Sequence, residues 1–154
     1  MNAYEEKLKK YISDNAITAE HMVFEESCHS VKEAAAAVGA SEEDLVKNIC
    51  LVDKNGNLIV AIVKGEDRVN TSKVKQAAEA DSPRIATLAE ILEKTGYPCG
   101  GVPSFGYNAK FLVDEKVQDK QLIYTGGGSE NALVRITPGE LLKANGGKIA
   151  DIRK

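Results

Sequence analysis

The stretch ICLVDKNGNLIVAIV, residues 49–63, leaves little choice of local structure. Asn55-Gly56 between two β-branched apolar runs is the strongest short-range hairpin signal, so the two runs are antiparallel neighbours. The second run, LIVAIV, lacks the polar alternation of a half-exposed strand. It predicts burial on both faces, and helices are the elements that would cover them.

Helix starts are signposted. Ser30-Val-Lys-Glu33, Thr87-Leu-Ala-Glu90 and Thr137-Pro-Gly-Glu140 each place a hydroxyl three residues before a glutamate. In such capping boxes the hydroxyl accepts an early orphan N–H while the glutamate reaches back, and Pro138 sits where a missing N–H costs nothing. Ser41 with Asp44 is a weaker fourth. Helices are expected at 3–14, 30–38, 71–79, 87–95 and 137–144, with Gly39, Gly96 and Gly146 as C-terminal stops. Strands are expected at 21–24, 46–53, 58–64, 110–113, 121–124 and 132–136. No repeat or Ser/Pro linker divides the 154 residues, so the pattern reads as one α+β domain, 1–154, with a mixed, mainly antiparallel sheet flanked by helices.

Composition excludes several classes. With 43% hydrophobic residues and no run near the roughly 20 apolar residues that span a bilayer, no membrane partner is expected. The charged opening MNAYEEKLKKYISD is unlike a signal region, and a cytoplasmic setting is expected. Cys28, Cys50 and Cys99 are three widely spaced cysteines without a CxxC pair, which suggests neither a disulfide framework nor a zinc site. A net charge of -3 argues against wholesale wrapping of nucleic acid but leaves room for a local contact through residues such as Lys73, Lys75, Lys110, Lys148, Arg153 and Lys154. Taken singly, these read as solvated lysines and arginines.

Three features could carry chemistry. GYPCGGVPSFG, residues 96–106, has four glycines, two prolines and no charge in a chain that is 28% charged. Glycine lets backbone approach backbone or ligand closely and proline freezes the turns between, so such a loop holds a shape. Lys47 opens the strand VKNICLVD in register with Ile49 and Leu51. It is either a partly buried functional ammonium or an edge residue snorkelling to water. TGGGSEN, residues 125–131, could form an amide nest for an anion or carbonyl oxygen, or a flexible hairpin loop. It lacks the GK[ST] of a P-loop. Cys99 with His21 or His29 is a formal Cys/His hydrolase pair whose proximity nothing fixes. No HExxH, GxSxG or paired acidic motif is present.

Taken together, VKNICLVDKNGNLIVAIVKGEDRVN, TLAEILEKTGYPCGGVPSFG and LIYTGGGSENALVRITPGELL resemble the YbaK/EbsC family of aminoacyl-tRNA deacylases, which includes the editing domain inserted in bacterial prolyl-tRNA synthetases. The resemblance runs from about residue 20 to 152 and includes the closing KIADI. It implies a two-layer, barrel-like α+β fold. It also implies trans-editing: hydrolysis of the ester joining a wrong amino acid to a tRNA, with alanine, cysteine, serine or threonine on a proline tRNA as candidates. By the resemblance Lys47 is the functional lysine, and Asn48 beside it matches the Lys-Asn pair of the alanine-clearing branch. Gly101, with Gly100, offers backbone amides to the ester carbonyl. Gly127, Gly128 and Ser129 close the pocket around the amino acid, His21 lies where members place a pocket-lining tyrosine or histidine, and Ser104 and Phe105 complete the substrate contacts.

Two positions depart from the family pattern. Pro103 stands one place earlier than in the common Gly-Gly-x-small-Pro, and Gly126 stands where some cysteine-clearing members carry serine. No metal or organic cofactor is implied. The attacking group is water or the substrate's own thiol. The partners implied are the acceptor end of a mischarged tRNA and an aminoacyl-tRNA synthetase. A non-catalytic module that holds aminoacyl ends or a synthetase is the alternative, and a thiol hydrolase using Cys99 is a third reading.

Overall fold

A computed structural model describes residues 1–154. The five expected helices form as α1 (Ala3–Asp14), α2 (Val31–Val38), α3 (Thr71–Ala78), α4 (Leu88–Thr95) and α5 (Pro138–Asn145). Ser30, Thr87 and Thr137 each accept the backbone N–H three residues on, and Gly39, Gly96 and Gly146 end their helices in the left-handed region. The weaker Ser41–Asp44 signal caps only a 3₁₀ turn, Glu42–Asp44, and a second such turn spans Glu115–Asp119. Eight strands form in place of six: β1 (Ala19–Val23), β2 (Val46–Val52), β3 (Leu58–Lys64), β4 (Arg84–Ile85), β5 (Lys110–Asp114), β6 (Ile123–Gly126), β7 (Ala132–Ile136) and β8 (Lys148–Ala150).

The hairpin at 49–63 is antiparallel as expected, with Val46 opposite Lys64 and Val52 opposite Leu58. Its turn is longer than Asn55-Gly56 alone. Gly56 N–H returns to the Asp53 carbonyl at 3.0 Å with φ of 84°, and the Asp53 carboxylate accepts the amides of Asn55 and Asn57.

The strands divide into two sheets rather than one. A three-stranded antiparallel sheet has the order β1-β7-β6, and a five-stranded mixed sheet has the order β4-β2-β3-β5-β8. Strand β5 pairs parallel with both β3 and β8. The sheets touch through the isolated bridge between Leu45 and Tyr124, so the barrel-like arrangement is not closed.

Burial explains the layering. In β3, Val60, Ala61, Ile62 and Val63 are fully buried. Val60 and Ile62 face the largest apolar cluster, shared with Leu8 and Ile12 of α1, Ile123 of β6, Val134 and Ile136 of β7, and Leu141 of α5. Ile59, Ala61 and Val63 face a second cluster capped by Val74 and Ala78 of α3 and by Ile152. The outer side of the smaller sheet, with Tyr124 and Leu133, is covered by Ala34 and Ala35 of α2. The order of layers is thus α3, large sheet, main core, small sheet, α2. Each buried Val or Ile on these faces contributes about 1.5–3 kcal/mol through apolar burial. No helix is long and apolar enough to cross a membrane.

Candidate active site

The two glycine-rich segments meet at the seam between the sheets. Gly128 N–H donates to the Gly101 carbonyl at 2.8 Å. Contact is backbone on backbone: a Cβ on Gly101 would lie 2.5 Å from Gly128 C and Ser129 N, and one on Gly126 would overlap the Val102 carbonyl. Glycine at these two positions is a packing requirement, and the segments form one unit.

That contact orients an amide. In a trans peptide the C=O and N–H point in opposite directions. Fixing the Gly101 carbonyl on Gly128 therefore directs the Val102 N–H away from the 127–129 turn. Gly101's own N–H donates to the Pro98 carbonyl at 3.0 Å, whereas those of Gly100 and Val102 donate to no group in the chain.

A second set of bonds holds the same loop from below. Asn48 donates through Nδ2 to the Val102 carbonyl at 2.9 Å and to Thr125 Oγ1 at 3.0 Å. Ser104 Oγ donates to Asn48 Oδ1 at 2.6 Å and lies 2.7 Å from Thr125 Oγ1. This ring of three polar side chains lies where Ser104 and Thr125 are buried, so each member relies on the others. Thr125→Val keeps the shape but removes a partner from both neighbours, and unfolding in urea should show a loss of about 1–3 kcal/mol.

Lys47 lies elsewhere. Consecutive side chains leave a strand on opposite faces. With Asn48 turned toward the glycine loop, Lys47 turns to the face that carries Leu51 and Ile59, beside Asp67 and Arg68. Its ammonium makes no hydrogen bond or ion pair with any carboxylate. Partial burial, and then the like charge of Arg68, lower its pKa, with Asp67 opposing them. The structure therefore places Lys47 and Asn48 on two sides of one strand. β4 pairs with β2 only at Leu51 and Val52, so this strand's outer edge is unpaired beside both residues.

The remaining expected residues are dispersed around the seam. His21 Nε2 is 2.8 Å from the Gly127 carbonyl, an acceptor, so Nε2 carries the proton. Gly127 N–H returns to Ala132 at 3.1 Å. Ser129 Oγ donates to Glu5 Oε1 of α1 at 2.6 Å, and the Tyr4 carbonyl packs 2.9 Å from where a Gly128 Cβ would be. Gly100 sits against the His29 imidazole, which pairs with Glu130 at 3.3 Å. Phe105 is fully buried in the main core and stacks on Tyr11.

Thr125, Glu5 and Asn131, whose amide clasps the carbonyls of Glu25 and Glu26, are participants that the sequence did not single out. Thr125 alone had a visible signal, as the hydroxyl preceding the glycine run. Cys28 and Cys50 are buried; burial raises both thiol pKa values, that of Cys50 to about 12. Cys99 is exposed. No group of three or more His, Cys, Asp or Glu side chains is placed to hold a metal ion.

Comparison with known proteins places the chain in a family. The model of the aminoacyl-tRNA editing domain matches residues 25–144. The uncharacterized protein YwhH of Bacillus subtilis is 27% identical over 128 residues, covering 82% of this chain and 81% of that one. A proline–tRNA ligase of Streptococcus pneumoniae is 27% identical over 151 residues, covering 94% of this chain but 24% of the ligase, so this chain spans about a quarter of that relative. Among solved structures, one provisionally described as a trans-editing enzyme for prolyl tRNA synthetase superposes with a TM-score of 0.92 at 29% identity, covering 100% of this chain and 99% of the other. The family model spans well over half of the chain, residues 25–144, and the chain therefore belongs to the aminoacyl-tRNA editing domain family.

Proposed function

We propose that this chain hydrolyses, in trans, the ester between a wrong amino acid and the 3′ end of a tRNA, with a proline tRNA carrying alanine, cysteine, serine or threonine as substrate. The observation that carries the reading is the doubly held loop 100–104, whose Gly100 and Val102 amides have no partner in the chain. Ester hydrolysis develops negative charge on the carbonyl oxygen, and preorganised N–H donors stabilise it; removing one donor typically costs ~10²–10³ in rate. Because Gly101 N–H is engaged by Pro98, its neighbours are the donors, and Gly101 acts through the close approach that its missing side chain permits.

Lys47 takes the polynucleotide side of the substrate. On the face opposite Asn48, its ammonium suits the terminal phosphate better than the ester carbonyl, and holding that phosphate orients the ester across the strand. Asn48, buttressed by Ser104 and Thr125, borders the amino-acid side, with His21 and Gly127 beyond it. Attack comes from water or from a substrate thiol, and no protein nucleophile is used. The proton leaves with the 3′ hydroxyl of the released tRNA.

The test is release of amino acid from tRNAs charged with alanine, cysteine, serine, threonine and proline. Release of one or two of the first four, with prolyl-tRNA spared, is the expected result. If every charged tRNA binds and none is hydrolysed, the chain is a binding module and the deacylase reading is lost. Alkylation of Cys99 with iodoacetamide, verified by mass spectrometry, should leave release unchanged; its loss would revive the thiol mechanism.

A further inference from the structure

Charge is unevenly placed along this chain. Residues 1–46 carry four Lys or Arg against ten Asp or Glu, whereas residues 47–154 carry sixteen against thirteen. The fold turns this into two sides. Glu33 on α2, the acids at 42–44, and Glu25, Glu26 and Glu130 surround the seam from the α2 side. A phosphate backbone arriving over α2 would meet like charge.

The other side is built differently. Segments 68–70 and 152–154 run alongside each other: Asn70 N–H donates to Ile152, Lys154 N–H donates to Arg68, and Val69 bridges Arg153 antiparallel. α3 starts directly after this pair. One flank of α3 is fixed by Lys73, which donates to Asp151 and the Arg153 carbonyl, and by Lys148, which donates to the Ala77 carbonyl. With Val74 and Ala78 buried beneath, Lys75 leaves on the flank opposite Lys73. Arg68, Lys75 and Lys154 are exposed and pair with no carboxylate, as is also true of Lys9, Lys32 and Lys143 elsewhere on the surface, whereas Lys10, Lys64, Lys73, Lys120, Arg84, Arg135 and Arg153 are paired. Of the three, Arg68 acts directly on the Lys47 ammonium, and Lys154 is tied to Arg68 through its backbone N–H.

We propose that Arg68, Lys75 and Lys154 form a docking surface for the phosphodiester backbone of an RNA acceptor stem, so that the stem lies along α3 and its 3′ end passes Lys47 into the seam. The surface rests on the editing reading for its ligand, but not for its chemistry. It reconciles an acidic chain with an anionic partner, because the acids around the seam lie on the α2 side and these three cations on the α3 side. Contact with only a few phosphates also predicts a shallow salt dependence.

Phosphate contacts carry no sequence information, so unfractionated, uncharged tRNA serves as the probe, with binding measured by fluorescence anisotropy from low to moderate salt. The test protein is Arg68→Glu/Lys75→Glu/Lys154→Glu. Its control is Lys9→Glu/Lys32→Glu/Lys143→Glu, which makes the same change in net charge on α1, α2 and α5. All six side chains are exposed, and circular dichroism checks folding. The expected result is a loss of roughly tenfold or more in affinity for the first variant, with a salt slope lower by up to about three, and a much smaller loss for the control. Equal losses in both, no loss in the first, or no binding by the wild type would overturn the surface. Normal binding by the wild type without ester release would sink the deacylase reading and leave the surface standing.

Discussion

Lys47→Ala should lower ester release about a hundredfold or more while leaving thermal stability unchanged or slightly raised. Most core-facing substitutions lose function by losing stability, so a variant that loses only function separates the two. The reasoning starts from the depressed pKa. Burial and Arg68 disfavour the charged form of Lys47 in the folded chain, and no carboxylate offsets them through an ion pair. Near neutral pH the folded state therefore carries an unfavourable ammonium that alanine removes.

The sign of the pH dependence follows from the same shift. The folded chain releases this proton at a pH below the ordinary lysine value of 10.5, whereas the unfolded chain still holds it. Over that window the unfolded state binds more protons, so the stability contribution of this group rises with pH, while the charge needed for phosphate is lost. Enzymatic kcat/KM, corrected for spontaneous ester hydrolysis, should fall on the alkaline side with a midpoint below 10.5, and Lys47→Arg should remove that limb by staying charged. A melting temperature that drops by many degrees in Lys47→Ala would show instead that the ammonium is structural.

Gly126→Ala should be comparably damaging for a different reason. A Cβ at this position overlaps the Val102 carbonyl, which is also the acceptor for Asn48. The smaller sheet and the loop cannot both keep their places, and the Val102 amide would shift with its peptide. Displacement of a reacting group by about 1 Å can cost 10²-fold in rate, so hydrolysis should fall by that order, with a stability loss of about 1–3 kcal/mol from the strained contact. Gly139→Ala is the internal control, because a Cβ there meets nothing within 4 Å. In the first turn of α5 it should be neutral or mildly stabilising. Equal activity in both variants would mean that the loop tolerates displacement and does not present the reactive amide.

What the sequence made legible was local or periodic. Ser30, Thr87 and Thr137 announced their helices because a cap and its partner lie three residues apart, and LIVAIV announced burial on both faces because a central strand needs no polar position. β4 and β8 stayed hidden because they are two and three residues long and exist through their partners: Arg84 and Ile85 through β2, Lys148 to Ala150 through a parallel pairing with β5. The division into two sheets was hidden for the same reason.

At the site, alternation along β2 already implied that Lys47 and Asn48 diverge. Which face meets the glycine loop depends on Val102 and Thr125, at sequence separations of 54 and 77. By the resemblance Phe105 is expected among the substrate contacts. Its ring instead turns inward onto Tyr11, where an aromatic side chain buries most area.

The bond between Glu5 and Ser129 joins residues 124 positions apart, and α1 lies wholly outside the segment that matches the family model. During synthesis α1 is made early, yet the turn it supports is made near the end. The seam thus acquires its final shape only after a late closure between distant parts of the chain. A nascent chain that has formed β2 to β5 but not β7 can be extensively folded and still lack the seam. Excising residues 25–144 as a minimal domain would remove α1 and leave Ser129 permanently without its Glu5 partner.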